Sequence, residues 1–246
     1  MRNVCAKMVP KVLSDEQKES RKKLCLDLSQ RIENEPDLLD SIISCDETCI
    51  FTYDPETKQQ SMQWKSTSSP RPKKCMHELF EVQGHVVFFD IKGTVMAEWV
   101  PSSQTVNQQY YVEVLTKLRE RVRKKRPELW RKGWILQQDN APAHKALSVK
   151  QFLANKNISV LEHPTYSPDP VPCDFYFFPK IKSVLKGTHF VSVENVKAKM
   201  AEILNSLTEH DLWNCFEHWL HRMQLCVNSE GNYFKGDCSG FPEFVK

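Results

Sequence analysis

The order of strand-like and helical segments is the feature that most constrains the fold of this chain of 246 residues. Three apolar runs, at 42–53, 85–90 and 95–100, have the β-branched and aromatic content of strands. Two more, at 134–138 and 158–162, alternate with segments whose apolar residues repeat at helical spacing. Three strands followed by helix, strand, helix, strand and further helices predict an α/β fold.

Helical segments stand at both ends of this pattern. Ser14 begins a segment with a capping-box sequence and apolar residues at every fourth position, which predicts an approach helix before the first strand. The apolar stripes at 193–207 and 212–227 predict two further helices near the C-terminus. The segment 90–93 has the composition of a tight turn, so the second and third strands are predicted to form a hairpin.

Composition excludes several classes of protein. The chain is 40% hydrophobic and 26% charged, which excludes disorder along its whole length. Its longest apolar runs, 86–89 and 175–178, are far shorter than the roughly 20 residues of a membrane span. The N-terminal sequence lacks the apolar core of a signal peptide, so we expect an intracellular protein. Nine scattered cysteines are too few for a disulfide scaffold, and most are expected to be reduced and buried.

Positive charge is concentrated in one segment. The net charge of the chain is only +3, but residues 117–132 include nine Lys or Arg and two Glu. This basic segment is either the solvated end of a helix or a surface for a polyanion or nuclear-import receptor, and composition leaves both open. The candidate phosphate-contacting residues are Arg119, Arg121, Arg123, Lys124, Lys125 and Arg126.

Three aspartates stand where a carboxylate needs a structural reason. Asp46 lies in the middle of a predicted strand, Asp139 at the C-terminal end of another, where α/β sheets gather ligands, and Asp174 at a predicted helix start. A shared metal site is one interpretation. In the alternatives, Asp46 meets a buried arginine, Asp139 or Asn140 caps the next helix, and Asp174 is an ordinary acid of a first helical turn.

Each of these aspartates stands in a short motif. The motifs are C-D-E-T at 45–48, Q-D-N-A-P-A-H at 138–144, and P-C-D-F at 172–175, preceded by Y-S-P-D at 166–169. The last two aspartates are separated by 34 residues. In order and spacing these motifs resemble the catalytic domain of a mariner-type transposase, and the resemblance extends over most of the chain.

The resemblance implies an RNase H-like fold, a mixed five-stranded sheet with helices on both faces. It implies that Asp46, Asp139 and Asp174 are the catalytic residues and hold two divalent ions, Mg²⁺ or Mn²⁺, which hard oxygen ligands suit. The implied reaction is cleavage and strand transfer of DNA, with DNA as the partner, no membrane and no small-molecule cofactor, in the nucleus. His144 is then either a phosphate contact or a solvated histidine at a helix start.

The resemblance also divides the chain. It gives a linker and approach helix at 1–40, a catalytic domain at 41–236 and a tail at 237–246. In the family, a loop at the place of the polar segment 54–84 holds a second subunit, so we expect a possible homodimer with Trp64 at its interface; the alternative is a loose surface loop. The N-terminal helix-turn-helix region of the family is expected to be lacking, as in a truncated, element-derived copy.

Several positions depart from the family pattern. Cys49 stands where the family usually has Trp, Gln138 where it usually has His, and 167–172 contain an extra proline. Two functions therefore stay open: a metal-dependent transposase catalytic domain, or a catalytically lapsed protein that binds DNA or dimerises. The presence of all three aspartates favours the first function, whereas the expected lack of the DNA-reading region and the departures from the motifs favour the second.

Overall fold

The chain folds around a mixed five-stranded sheet. The computed structural model describes residues 9–54, 62, 66, 82–102 and 104–234. The strands are β1 (Ile42–Phe51), β2 (Val82–Asp90), β3 (Gly93–Trp99), β4 (Ile135–Gln137) and β5 (Ser159–Leu161). Their order across the sheet is β3-β2-β1-β4-β5. The first three strands pair antiparallel, whereas β4 is parallel to both β1 and β5.

Eight α-helices lie in the described part of the chain. They are α1 (Asp15–Asn34), α2 (Gln108–Lys125), α3 (Pro127–Lys132), α4 (Pro142–Lys145), α5 (Leu147–Asn155), α6 (Phe178–Leu185), α7 (Val193–Ser206) and α8 (Glu209–Asn228). A 3-10 turn at Pro36–Ser41 leads into β1, and a π-helical turn at Cys173–Phe177 leads into α6. Within these ranges, no helix combines the length and hydropathy needed to cross a membrane.

The sheet separates two hydrophobic cores. Side chains alternate along β1 and β2, so that Ile42 and Val87 face one side and Ile43 and Val86 face the other. The first side packs against α1, α6, α7 and α8, and the second against α2 and α5. The predicted sheet with helices on both faces is therefore confirmed.

Local sequence signals explain where most helices begin. Ser14 and Gln17 form the predicted capping box of α1, in which the Gln17 N–H donates to Ser14 Oγ over 3.3 Å. The helix predicted after Pro142 is interrupted at Ala146, whose backbone is extended, and it forms the two short helices α4 and α5. The short helix α3 has Leu129 as its buried residue, too little for a recognisable apolar stripe.

A buried arginine joins α1 to the end of α8. Arg21 is fully buried, and its Nη1 and Nη2 donate to the carboxylate of Asp169 over 2.9 and 2.7 Å. Its Nε donates to the Gly231 carbonyl over 2.8 Å. Gly231 has φ +71, and a Cβ there would overlap the backbone of Lys18, so only glycine allows this close approach. This arginine therefore pairs with Asp169 and not with Asp46.

Several predicted strand ends move, and the predicted dimer interface falls outside the described residues. β1 ends at Phe51, and Tyr53 beyond it forms an isolated bridge with His189. β2 begins at Val82, earlier than predicted. Trp64 and most of the segment 54–84, as well as the tail 237–246, lie outside the described residues, so the dimer interface stays a prediction.

Candidate metal centre

Parallel pairing of β1 and β4 places Asp46 and Asp139 side by side. Ser44 on β1 pairs with Gln137, the last residue of β4, and its Oγ donates to Gln137 Oε1 over 2.5 Å. Asp46 and Asp139 each lie two residues beyond this pair. Asp46 is still within β1, whereas Asp139 lies in the loop that leaves β4. Because alternate side chains of a strand share a face, Asp46 points to the same side as Ser44.

The π-helical turn brings Asp174 to the same side of the sheet. Cys173 is fully buried, and its Sγ lies 3.5 Å from Ser44 Oγ. Asp174 is the next residue and is exposed. Pro172 already has helical backbone angles, with φ −53 and ψ −39. The additional proline in this segment is therefore compatible with a helical turn that begins at Cys173.

The three aspartates influence one another electrostatically. Burial, and then the charges of Asp174, Glu47 and Asp139, raise the pKa of Asp46 to about 8. Asp174 is exposed to solvent. Partial burial of its carboxyl group, and then the charge of Asp139, raise its pKa to about 6. The ionised form of such a carboxylate is disfavoured unless a cation is near. The structure thus brings the three predicted site residues within electrostatic reach of one another.

Asp139 accepts more hydrogen bonds than Asp46, whose Oδ1 accepts from the Glu47 backbone N–H over 2.8 Å. Its Oδ1 accepts from His144 Nδ1 over 2.6 Å and from the Ala141 N–H over 2.9 Å. Burial would raise the pKa of Asp139, but these two donors outweigh it and lower that pKa. Nε2 of His144 lies 3.0 Å from Glu47 Oε1. Burial would lower the pKa of His144, but its two carboxylate partners raise that pKa to about 9.

The place of His144 corrects its predicted contact with phosphate. The residue is 2% exposed in α4, and its ring packs on Tyr111 with 4.0 Å between ring centroids. Each ring nitrogen already faces a carboxylate, so neither is available to a phosphate, and the residue is not a solvated histidine either. Glu47 is a site residue that the sequence analysis missed. Its adjacency to Asp46 in the first motif was the available signal.

Arg126 is a structural residue, which corrects the prediction that it contacts DNA. Its Nε and Nη2 donate to the carboxylate of Asp90 over 2.6 and 3.0 Å. Asp90 is 1% exposed and also accepts from the Lys92 N–H over 2.9 Å. The pair fastens the end of α2 to the turn between β2 and β3. The guanidinium of Arg126 is therefore engaged within the protein.

The other predicted phosphate contacts are partly or fully exposed on α2. Arg119 lies over the ring of Trp130, 4.4 Å from its centroid, and Arg123 forms an ion pair with Glu120 over 2.5 Å. A groove of about 610 Å³ runs along the outer edge of β3, between α2 and α7. The basic residues that line this edge groove include Arg121, Lys124 and Lys125.

The edge groove and a second groove lie on two sides of the aspartates. Asp46 pairs with Val87, which pairs with Ala97 in the edge groove, so two strand spacings of together about 10 Å separate them. The second groove, of about 580 Å³, is lined by Asp139 itself and by the exposed Lys145 and Lys150. The sequence analysis did not predict these two lysines, because isolated lysines carry no pattern.

Comparisons with known proteins point to one family. The family model described as transposase (partial DDE domain) matches residues 54–132, a range that contains none of the three aspartates. The mariner Mos1 transposase of Drosophila mauritiana is 30% identical over 231 residues, which are 92% of this chain and 66% of that protein. The chain therefore spans slightly less than two thirds of the length of this relative.

Solved structures of Mos1 match the fold. The catalytic domain of Mos1 superposes with a TM-score of 0.77 at 28% identity, covering 93% of this chain and all of that one. The Mos1 paired end complex with Mn superposes with a TM-score of 0.87 at 30% identity, and the match covers 96% of this chain and 68% of that one. A Mos1 paired end complex has also been solved with Mg. Because both the sequence and the fold match Mos1 over nearly the whole chain, this chain belongs to the mariner-type transposases and has their RNase H-like, DDE-type fold.

Proposed function

We propose that this domain cleaves DNA and transfers the cut strand through a metal centre held by Asp46, Asp139 and Asp174. The observation that carries the proposal is the convergence of these carboxylates from β1, from the loop after β4 and from the π-helical turn. Two of them have raised pKa values because of burial and mutual repulsion. A fold that keeps three acids together at an electrostatic cost is suited to hold cations.

The donor set fits Mg²⁺ or Mn²⁺. All three side chains offer hard carboxylate oxygens, and the family relatives solved with Mn and with Mg support the use of a divalent metal. Binding of two ions at once is part of the proposal. When bound, such ions supply Lewis-acid stabilisation of the attacking and leaving oxygens in phosphoryl transfer.

The residues around the aspartates prepare the site. Ser44 contacts both Gln137 and Cys173, and so fixes the spacing of the three segments that carry the acids. Asp139 is kept ionised by the hydrogen bonds it accepts, whereas Asp46 without a cation retains its proton up to about pH 8. Binding of a cation and loss of this proton are therefore linked.

DNA is the proposed substrate and partner. The edge groove and the groove beside Asp139 offer lysines and an arginine on two sides of the site, as contacts to phosphates without base preference require. One Mos1 structure is a paired-end complex with the left transposon end. A paired assembly of this chain, with Trp64 at the interface, and a nuclear location belong to the proposal.

Nicking of a supercoiled plasmid in Mn²⁺ tests this function. Asp46→Asn, Asp139→Asn and Asp174→Asn should each reduce the rate by about 100-fold or more, because each removes a negative charge that would hold the metal. Asp27→Asn on the exposed face of α1 is the matched control and should nick like the wild type. A wild type that binds DNA but nicks in neither Mn²⁺ nor Mg²⁺ would instead support the lapsed DNA-binding function.

A further inference from the structure

We propose that His144 and Glu47 are positioning residues that hold the Asp139 carboxylate in the orientation in which it binds metal. The inference rests on the proposed function, in which Asp139 is a metal ligand. A single buried ring lies between two carboxylates, with Asp139 Oδ1 2.6 Å from Nδ1 and Glu47 Oε1 3.0 Å from Nε2. The His144 ring thereby holds the Asp139 carboxylate, and Glu47 in turn holds the His144 ring.

These three side chains do not form a metal site of their own. Their ligand atoms lie within 4.8 Å of one another, which would suit one ion by distance alone. However, the two carboxylates face opposite nitrogens of the ring, and one ion can bind only one of those nitrogens. Two ligands that each lie about 2 Å from one ion would also be farther apart than the 2.6 Å between Asp139 and His144. The contacts are therefore hydrogen bonds.

The surroundings fix the ring of His144. Tyr111 packs against it, and the Tyr111 hydroxyl donates to Gln138 Oε1 over 2.6 Å. Gln138 immediately precedes Asp139, so the same tyrosine holds the chain on the other side of the ligand. The backbone N–H of His144 also donates to the Ala141 carbonyl over 3.0 Å. The loop after β4 therefore has little freedom to turn Asp139 away.

Glu47 contributes from the neighbouring strand. Successive side chains of a strand point to opposite faces, so Asp46 and Glu47 lie on opposite sides of β1. The charge of Asp174 acts on Asp46, whereas Glu47 reaches His144 and, through it, Asp139. One strand thus places one proposed metal ligand directly and a second one indirectly. Partners that orient metal ligands in this way typically change metal affinity by about 10- to 100-fold when they are removed.

Mn²⁺ binding to the whole chain, measured by calorimetry without DNA, tests the inference. Glu47→Ala removes the acceptor for His144 Nε2 and should weaken Mn²⁺ binding by about 10- to 100-fold. Glu47→Gln keeps an oxygen acceptor and should retain most of the affinity. His144→Asn keeps a donor near the Nδ1 position and should bind Mn²⁺ more tightly than His144→Ala. Circular dichroism checks that each variant folds. If the His144 variants do not fold, the comparison of Glu47→Ala with Glu47→Gln tests the inference by itself.

The possible results separate the inference from the proposed function. Equal loss of affinity in Glu47→Ala and Glu47→Gln would overturn the positioning role, because the charge and not the hydrogen bond would matter. Wild-type affinity in Glu47→Ala, together with lost binding in Asp139→Asn, would overturn the inference and leave the proposed function intact. Asp139→Asn binding Mn²⁺ as tightly as the wild type would overturn the proposed function itself, and the inference with it.

Discussion

His85 is a buried histidine that is kept uncharged by the fold. It lies on β2, is 1% exposed, and contacts the ring of Trp99 with 4.2 Å between centroids. Within the described part of the chain, its Nδ1 has no hydrogen-bond partner. Burial alone lowers the pKa of His85 from 6.5 to about 4. His85 pairs with Thr48 of β1, two residues along the strand from Asp46, and burial is the cause of its lowered pKa.

The stability of the fold should therefore depend on His85 in acid. Between pH 6.5 and about 4 the unfolded chain binds a proton at this residue that the folded chain does not bind, so stability falls as pH falls. His85→Phe keeps the ring packing and removes the titration. Between pH 7 and 4, the wild type should lose on the order of 3 kcal/mol more unfolding free energy than this variant. Urea unfolding at several pH values measures the unfolding free energy of the wild type and of His85→Phe. If the two free energies fell in parallel with pH, the expectation would be contradicted.

Single residues also mark the limit of what the sequence predicts at the site. Asp46 was recognisable because a carboxylate inside an apolar strand is costly, and Asp139 because it ends a strand. The pairing of His144 with Glu47 was not recognisable from the sequence, because the pairing depends on which strand lies beside β4. The Asp139 side chain also accepts from the Ala141 N–H, so the capping alternative describes part of its bonding.

At the scale of elements, α2 combines structural and exposed basic residues. Arg126→Gln would leave the carboxylate of Asp90, which is 1% exposed, without its cation, so the free energy of unfolding should fall by about 3 kcal/mol. Arg121→Gln, one turn earlier on the exposed side of α2, should change it by less than about 0.5 kcal/mol. Chemical unfolding of both variants makes the comparison. Similar losses would mean that the pair with Asp90 does not fasten the hairpin.

Long elements with a regular apolar pattern were predictable, as were the short strands β4 and β5, whereas the irregular turns were not. The stripes of α2, α7 and α8 and the hairpin of β2 and β3 follow from spacing and turn composition. The π-helical turn at Cys173–Phe177 and the break at Ala146 follow from packing against β1 and α2, which no local pattern encodes. These irregular elements carry Asp174 and His144, so the site was harder to predict than the fold.

At the scale of the whole molecule, the two grooves predict how DNA binding responds to salt. Replacing Arg121, Lys124 and Lys125 together by Gln should make the slope of log K against log salt less negative by about 2 to 3, since each phosphate contact releases counterions. Fluorescence anisotropy with duplexes of unrelated sequence measures this slope. The control replaces the exposed Lys23, Arg31 and Lys156, which changes the net charge equally but lies away from the edge groove.

An unchanged slope in the edge-groove variant, or the same change in the control, would assign DNA binding to another surface. A strong preference for one duplex would contradict contacts to phosphates alone. The sequence located this basic segment by charge density. It could not separate Arg126 from Arg121, because that distinction depends on the position of the β2–β3 turn in space.

The opposite orientation of Asp46 and Glu47 on β1 has a consequence for which changes to the chain β1 can tolerate. Replacement of either residue changes one side chain and leaves the two faces of the strand in place. Gain or loss of a single codon between 42 and 47 would instead exchange the two faces of the strand, turning an acid into one core and an apolar residue toward the site. A substitution in β1 therefore acts at a single position, whereas an insertion or deletion of one residue would disable the site and both cores at once.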